Sequence, residues 1–343
     1  IMNSNKQNQQ LEQSPVEVTP NSSFRRNLRL LLVVVVTVMI ANTAVYLTDA
    51  FINLDSGAFL IRSKWNILGD LDEPVEWLIL GDSSANQGVV PDQFRAQYDG
   101  NAVNLGTVGN ALLINDVWMI EDYINQHGAP ENVVIVHVYD MWYRRADTAV
   151  FAHTPWDYMS DIGMFSTLKE RAELALYRYV PLFQSSTQVS RAIANPSQMF
   201  KPPISIGDDG FTTVLDPNPS QVERDIESHA SGALSKGFVL SSINETAINL
   251  LVDLANKHKF QIYIANSPAH EDLVALDSFQ LYVSHISDLL EGIDERSPYI
   301  HYVLRDLPTF DSSVMENADH VTKEGATSFT AQLIAEIRTN ESN

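Results

Sequence analysis

The chain of 343 residues is 45% hydrophobic and 19% charged, a composition that builds a packed core and excludes disorder for its bulk. Its formal net charge of −21 repels a phosphate backbone, so nucleic acid is excluded as a partner. Cysteine is absent, which removes disulfides, thiolate metal ligands and a cysteine nucleophile.

Residues 1–24 are rich in Asn, Gln, Ser and Pro. With the arginines that follow they predict a disordered tail over residues 1–29. Leu30 to Leu47 read LLLVVVVTVMIANTAVYL, uncharged throughout, and predict a membrane-spanning helix over 30–48. Arg25, Arg26 and Arg29 stand just before it, so the N-terminus is expected in the cytoplasm and the main domain outside it, periplasmic in a cell with two membranes. A cleaved signal peptide is the competing reading. The long polar stretch before the arginines and the poor small-residue exits at Ala41–Ala44 and Thr48–Ala50 weigh against it. Residues 49–73 read as a connector with helical character.

A strand–helix alternation follows. Val75 to Leu80, ending in Gly81, is a short apolar run that predicts a buried strand. Ala102 to Leu105 is a second, and residues 111–126 carry helical spacing up to Gly128 and Pro130. Val133 to Tyr139 is the clearest strand, β-branched and continuous. Residues 141–235 break the rhythm with Pro155, Pro181, Pro196, Pro202, Pro203, Pro217 and Pro219, and predict an insertion or lid. Ser242-Ile243-Asn244-Glu245 has capping-box spacing and opens a helix to about His258. Phe260 to Ala265 is a strand, 270–291 a helix, Tyr299 to Leu304 the fifth strand, 306–320 a loop and 323–338 the last helix. The expected fold is α/β: a three-layer, doubly wound, flavodoxin-like parallel sheet of five strands over 74–140 and 236–343. Ligands of such sheets sit beyond the carboxyl ends of the strands.

Three loops fall at that edge. Gly81-Asp82-Ser83-Ser84 follows the first strand and places Ser83 at a helix start, where backbone N–H groups suit a developing oxyanion. An ordinary Asp/Ser helix cap reads the same way. Asn104-Leu105-Gly106-Thr107-Val108-Gly109-Asn110 follows the second strand, and its glycines allow close backbone approach to a ligand or simply cap the next helix. Asp319-His320 lies in the last loop, before Thr322. A histidine there faces the same edge as Ser83 and can take its proton if a carboxylate holds the other ring nitrogen; the alternative is a surface histidine beside an N-cap. His137 with Asp140, and His270 with Glu271 and Asp272, lack a convincing metal-ligand set, so no metal or other cofactor is expected. Trp118, Trp142, Tyr143 and Trp156 suit sugar stacking or core packing. Arg144 and Arg145 suit an anionic substrate, a lipid headgroup or a solvated surface.

Taken together, Gly81-Asp82-Ser83, the Gly106–Gly109 turn and Asp319-His320 resemble blocks I, II and V of the SGNH/GDSL hydrolase superfamily, over residues 75–338. The resemblance is closest to its membrane-anchored polysaccharide O-acetylation branch, which includes alginate acetylation proteins. It implies Ser83 as nucleophile, His320 as general base, the N–H groups of Ser83 and Gly109 as oxyanion donors, and Asp82, Asn110, Tyr139 and Asp140 near the substrate. Two departures stand out. The triad aspartate usually precedes the histidine by three residues, where this chain has Asn317; Asp319 or the more distant Asp311 is then the candidate carboxylate. No asparagine follows the third strand, where Val138-Tyr139-Asp140-Met141 stands and Tyr139 or His137 is left as substitute donor. The implied function is an extracytoplasmic serine esterase or O-acyltransferase acting on an envelope or exported polysaccharide, with an acyl ester or carbohydrate polymer as substrate and a membrane-bound O-acyltransferase as partner. A non-catalytic scaffold of the same fold is the second reading. An unrelated doubly wound binding domain is the third, and it predicts Ser83 and His320 far apart.

Overall fold

The computed structural model describes residues 22–48, 51–159, 167–184, 186–214, 216–236 and 238–342. The chain divides into two compact units, Ile1–Thr48 and Asp49–Asn343.

The first unit holds one helix, α1 (Ser22–Thr48). Its stretch Ser23–Thr48 is long and apolar enough to cross a membrane, because about 20 apolar residues at 1.5 Å each match a hydrocarbon core of about 30 Å. The helix begins well before the expected residue 30, which corrects the expectation of a disordered tail through residue 29. Arg25, Arg26 and Arg29 therefore ride on its first turns. Arginine and leucine propagate a helix well, and neither proline nor glycine interrupts residues 22–29. The expected tail over 1–21 lies outside the described residues.

The second unit is α/β. Its N-terminal stretch is α2 (Ser56–Gly69), capped by the Asp55 carboxylate accepting from Ala58 N–H. It buries Ile61, Trp65 and Leu68, so the expected connector is part of the core. There follow β1 (Trp77–Gly81), α3 (Ser83–Gly88), α4 (Pro91–Tyr98), β2 (Ala102–Asn104), α5 (Leu112–His127) and β3 (Asn132–His137). Then come α6 (Thr148–Phe151), α7 (Trp156–Met159), α8 (Leu168–Tyr179), α9 (Pro181–Gln184), α10 (Ser186–Ala194), α11 (Pro219–Lys236) and α12 (Ser242–His258). The chain closes with β4 (Gln261–Asn266), β5 (Ala269–His270), α13 (Glu271–Val274), α14 (Asp277–Asp294), β6 (Ile300–Tyr302), β7 (Thr309–Phe310) and α15 (Lys323–Glu341). The cap of α12 is Ser241, whose hydroxyl accepts from Asn244 N–H, one residue before the expected Ser242. The expected helix over 270–291 is two helices, because the chain turns at Ala275–Leu276.

Five strands form a parallel sheet in the order β2-β1-β3-β4-β6. In register, Gly81 lies beside Val136 and His137 beside Asn266, so the ends of β1, β3 and β4 share one edge. Alternate side chains face opposite layers. Leu78, Leu80, Val133, Ile135, Ile262 and Ile264 pack with α2, α5, α12 and α14. Trp77, Ile79, Val134, Val136 and Tyr263 pack with α4 and α15 through Phe94, Phe329 and Leu333. Each fully buried side chain of this size contributes roughly 1.5–3 kcal/mol against exposure.

The stretch expected as an insertion is tied to the body at several points. Asn104 N–H donates to Asp209 O and Lys323 N–H to Val214 O. The buried Lys64 amino group donates to the carbonyls of Asn104 and Gly210.

Candidate active site

Gly81 makes the first turn possible. Its φ is +129°, and a Cβ there would collide with the Val136 carbonyl, so only glycine lets β1 turn sharply beside β3. The next residue, Asp82, is fully buried and caps α3. Its carboxylate accepts from Ser84 N–H at 2.9 Å and from Val138 N–H at 2.8 Å. Ser83 is thereby fixed at the first position of α3, partly open to solvent.

The last loop delivers the histidine. Thr330 Oγ1 on α15 donates to Gly88 O and accepts from Val90 N–H, which pins α15 against α3. An antiparallel bridge between Met315 and Val321 closes the loop. Ser84 Oγ donates to Asp319 O at 3.3 Å, so the residue after Ser83 holds the residue before His320. The outcome is a hydrogen bond of 2.6 Å between His320 Nε2 and Ser83 Oγ, within the range proton transfer requires.

His320 Nδ1 lies 2.8 Å from Asp319 Oδ1 and 2.9 Å from Asn317 Oδ1. Both are acceptors, so Nδ1 carries a proton and the neutral ring would leave Nε2 free to accept from Ser83. The two acceptors are not equivalent. Asn317 Oδ1 already receives the N–H groups of Asp319 and His320 at 3.0 and 2.8 Å, which makes it the organiser of the turn. Asp319 brings the charge. Burial alone would raise its carboxyl, yet His320 holds it at about 2. Burial likewise opposes a charge on His320, and Asp319 outweighs it, lifting the imidazole to about 9. Asp311 is exposed and spends its Oδ1 on the N–H and hydroxyl of Ser313.

Beneath the turn lies a buried network. His137 Nε2 is 2.6 Å from Asp116 Oδ2, and its Nδ1 is 3.4 Å from Asp82 Oδ2. Burial disfavours a charged His137, but Asp116 and Asp82 flank it and raise it to about 9. Burial pushes Asp82 upward, and His137 with the N–H groups of Val138 and Ser84 brings it below the usual range.

Several expected site residues therefore take other roles. Asp82 is fully buried and satisfied internally, so it holds the Ser83 turn and faces away from solvent, against its expected place near a substrate. Tyr139 is also enclosed: β3 stops at His137, and the Tyr139 ring packs against Phe279, Tyr282 and His229. His137 is occupied on both ring nitrogens, which excludes it as an oxyanion donor. Asp140 and Asn110 both accept from Arg144, at 2.6 and 3.2 Å. Trp118 and Trp142 are core, which removes them as sugar platforms, and the side chain of Trp156 lies outside the described ones. Tyr143 donates to Asp140 Oδ2. His270 Nδ1 accepts from Asp272 N–H at 3.1 Å. Its proton is therefore on Nε2, donated to Ser312, and it cannot serve that serine as a base.

Comparison with protein-family models finds no match, and neither does comparison with curated proteins.

Three residues near the site carried no catalytic expectation. Asp116 stands between Leu113 and Ile120 on the apolar face of α5, and a carboxylate on such a face is itself a signal. His229, on α11, lies 4.0 Å from Asp319 Oδ2; no local pattern marks it. Arg144 lies over Gly109. Among the described residues no cluster of three or more His, Asp or Glu side chains could hold a metal ion. A cavity of about 710 Å³ between α2 and residues 202–208 shares no residue with the site.

Proposed function

We propose that the protein is a serine esterase or O-acyltransferase of the SGNH/GDSL type, held at a membrane by α1 with its α/β unit outside the cytoplasm. The Ser83–His320–Asp319 relay carries this reading. The strand order, with ligand-binding loops at the carboxyl edge, suits a doubly wound, flavodoxin-like sheet, with residues 141–235 as its insertion. The arginines at the start of α1 suit a cytoplasmic N-terminus.

The reaction follows from the geometry. Unprotonated His320 Nε2 takes the Ser83 hydroxyl proton as Oγ bonds to the carbonyl carbon of an ester, and the carbonyl π pair moves to oxygen. The N–H groups of Ser83 and Gly109 are the candidate donors to that oxyanion. Collapse re-forms the carbonyl and expels the alcohol, which takes the proton from His320. Water or a carbohydrate hydroxyl then attacks the acyl-Ser83 carbonyl, giving its proton to His320, and Ser83 leaves with that proton. Asp319 orients the ring and stabilises the imidazolium. An exported or envelope polysaccharide is the acceptor or donor that a membrane-held site would meet, beside a membrane-bound O-acyltransferase. The completed relay favours an enzyme over a scaffold.

The test uses the full chain in detergent and a fluorophosphonate probe. Ser83 should be labelled and the Ser83→Ala variant should not. Labelling that survives this substitution, or no labelling of the native chain, overturns the proposal.

A further inference from the structure

Arg144 has no role in the relay, yet it lies at its edge. It follows a short 3₁₀ turn, Met141–Tyr143, after β3. Its Nη2 donates to Asp140 Oδ1 at 2.6 Å and its Nη1 to Asn110 Oδ1 at 3.2 Å. The fork is thereby fixed between two loops of the sheet edge. A methyl group placed on Gly109 would clash with Arg144 Nη1 and would lie 3.6 Å from Asp82 Oδ2, beside Ser83. The guanidinium therefore covers the backbone of Gly109 next to the nucleophile turn. An alanine at position 109 would require the Arg144 fork to shift.

The backbone downstream is held under strain. Leu112 has φ +61° and ψ 169°, a region that side-chain-bearing residues rarely occupy and that persists only where surrounding structure enforces it. Leu112 is buried, so the Gly109–Ala111 turn is anchored from below and by Arg144 from the side.

Two chemistries fit a fixed guanidinium at an acyl-transfer site: a receptor for a substrate carboxylate, or a donor to the oxyanion. The surrounding charge decides between them. The guanidinium is already paired with the Asp140 carboxylate at 2.6 Å, and the whole chain carries −21. A pre-existing substrate anion would have to compete with Asp140 for that charge. An oxyanion that forms only in the transition state, from a neutral ester, gains from a nearby pre-placed donor without paying that entry cost. The guanidinium carries five N–H groups; among the described residues, Asp140 and Asn110 are its hydrogen-bond acceptors, which leaves N–H capacity for a ligand. A quarter of the side chain, 27%, remains accessible.

We infer that Arg144 is a catalytic residue of this site: its guanidinium, seated against Gly109, donates to the oxyanion formed when Ser83 attacks an uncharged ester. This rests on the acyl-transfer reading above.

The experiment measures Ser83-dependent turnover of p-nitrophenyl acetate by the full chain in detergent, with Arg144→Ala, Arg144→Gln and Arg144→Lys. Removing one oxyanion donor costs about 10²–10³ in kcat, so Arg144→Ala and Arg144→Gln should lose about that factor with KM within about threefold. Free guanidinium ion at non-denaturing concentration should restore part of the Arg144→Ala rate, which a purely structural ion pair would not allow. Arg144→Lys retains a cation for Asp140 and so keeps the loop folded, while its point charge restores little of the forked donation. Three results overturn the inference. One is unchanged kcat in folded Arg144→Lys and Arg144→Gln. Another is a KM rise confined to an acidic ester such as p-nitrophenyl succinate, which marks a carboxylate receptor. The third is a rate loss that tracks lost thermal stability and is not rescued. If the native chain shows no turnover that Ser83→Ala abolishes, the acyl-transfer reading falls and this inference with it; native turnover indifferent to Arg144 sinks the inference alone.

Discussion

Ser83 Oγ and His320 Nε2 are 2.6 Å apart although 237 positions separate them in the chain. The contact is built by packing. Thr330 ties α15 to the end of α3, and Ser84 holds Asp319, so the two loops meet with their side chains already aligned. An ordered hydroxyl–imidazole–carboxylate line at an accessible edge gives concrete expectations for substitution and for pH.

Asp319 and Asn317 both touch His320 Nδ1, and they should differ sharply on substitution. Asp319→Asn removes the charge that stabilises the imidazolium and should lower the acylation rate by up to about 10⁴. Asn317→Ala removes a turn organiser that accepts two backbone N–H groups; it should cost about 1–3 kcal/mol of stability with a much smaller loss of rate per folded molecule. Stopped-flow acylation beside thermal melting separates the two. Equal rate losses would assign the carboxylate role wrongly.

The pH dependence follows from the raised His320. Its ordinary value is 6.5, and Asp319, working against burial, lifts it to about 9. As the base of the proposed reaction His320 must be unprotonated, so acylation should rise with pH and level off only above about 9. Asp319→Ala withdraws the raising charge, and the limb should move toward lower pH even as the maximal rate falls. A pH–rate profile of Ser83 phosphonylation checks the direction.

His137 sits between two buried carboxylates, and removing it leaves them without a counter-ion. His137→Leu should destabilise the fold by about 3–5 kcal/mol. The double variant Asp116→Leu/His137→Leu removes one of the two orphaned carboxylates, leaving Asp82 with its Ser84 and Val138 N–H donors, and should recover part of that loss. Chemical denaturation of the single and double variants measures it; a double variant less stable than the single one would contradict the account.

Lys64 supplies a test of stability against pH. Burial lowers it from 10.5 to about 7, partly offset by Asp209. The unfolded chain therefore binds more protons between these values, and folding stability contributed by Lys64 should rise from about pH 7 to 10.5. Comparing native chain with Lys64→Met across that window isolates the effect, since the variant lacks the rise.

Gly81 should tolerate no side chain. With φ at +129° and the Val136 carbonyl where a Cβ would stand, Gly81→Ala must move β1 away from β3 at the Ser83 turn. Loss of folded protein is expected, or, in any folded fraction, loss of fluorophosphonate labelling at Ser83. A folded variant labelled at the native rate would show that the turn is less constrained than its geometry implies.

Much of this molecule could be read from local pattern. The apolar run of α1, the β-branched run Val133–Val138, the glycine after β1 and the Thr322 cap all act within a few residues, because hydrophobic period, chirality and capping are local physics. The sequence also put Ser83 and His320 at one edge, since parallel strands must share a carboxyl end. It was silent where distance in the chain is large. Whether Asp319 or Asn317 serves His320 depends on a loop closed by the Met315–Val321 bridge, and whether Asp82 meets solvent or His137 depends on how β1 and β3 align. From its neighbours alone Arg144 suits an anionic substrate, a lipid headgroup or a solvated surface, and only the approach of the β2 and β3 loops lays it on Gly109. Local interactions chose the elements; the packing of elements far apart in the chain chose which charged groups share a site.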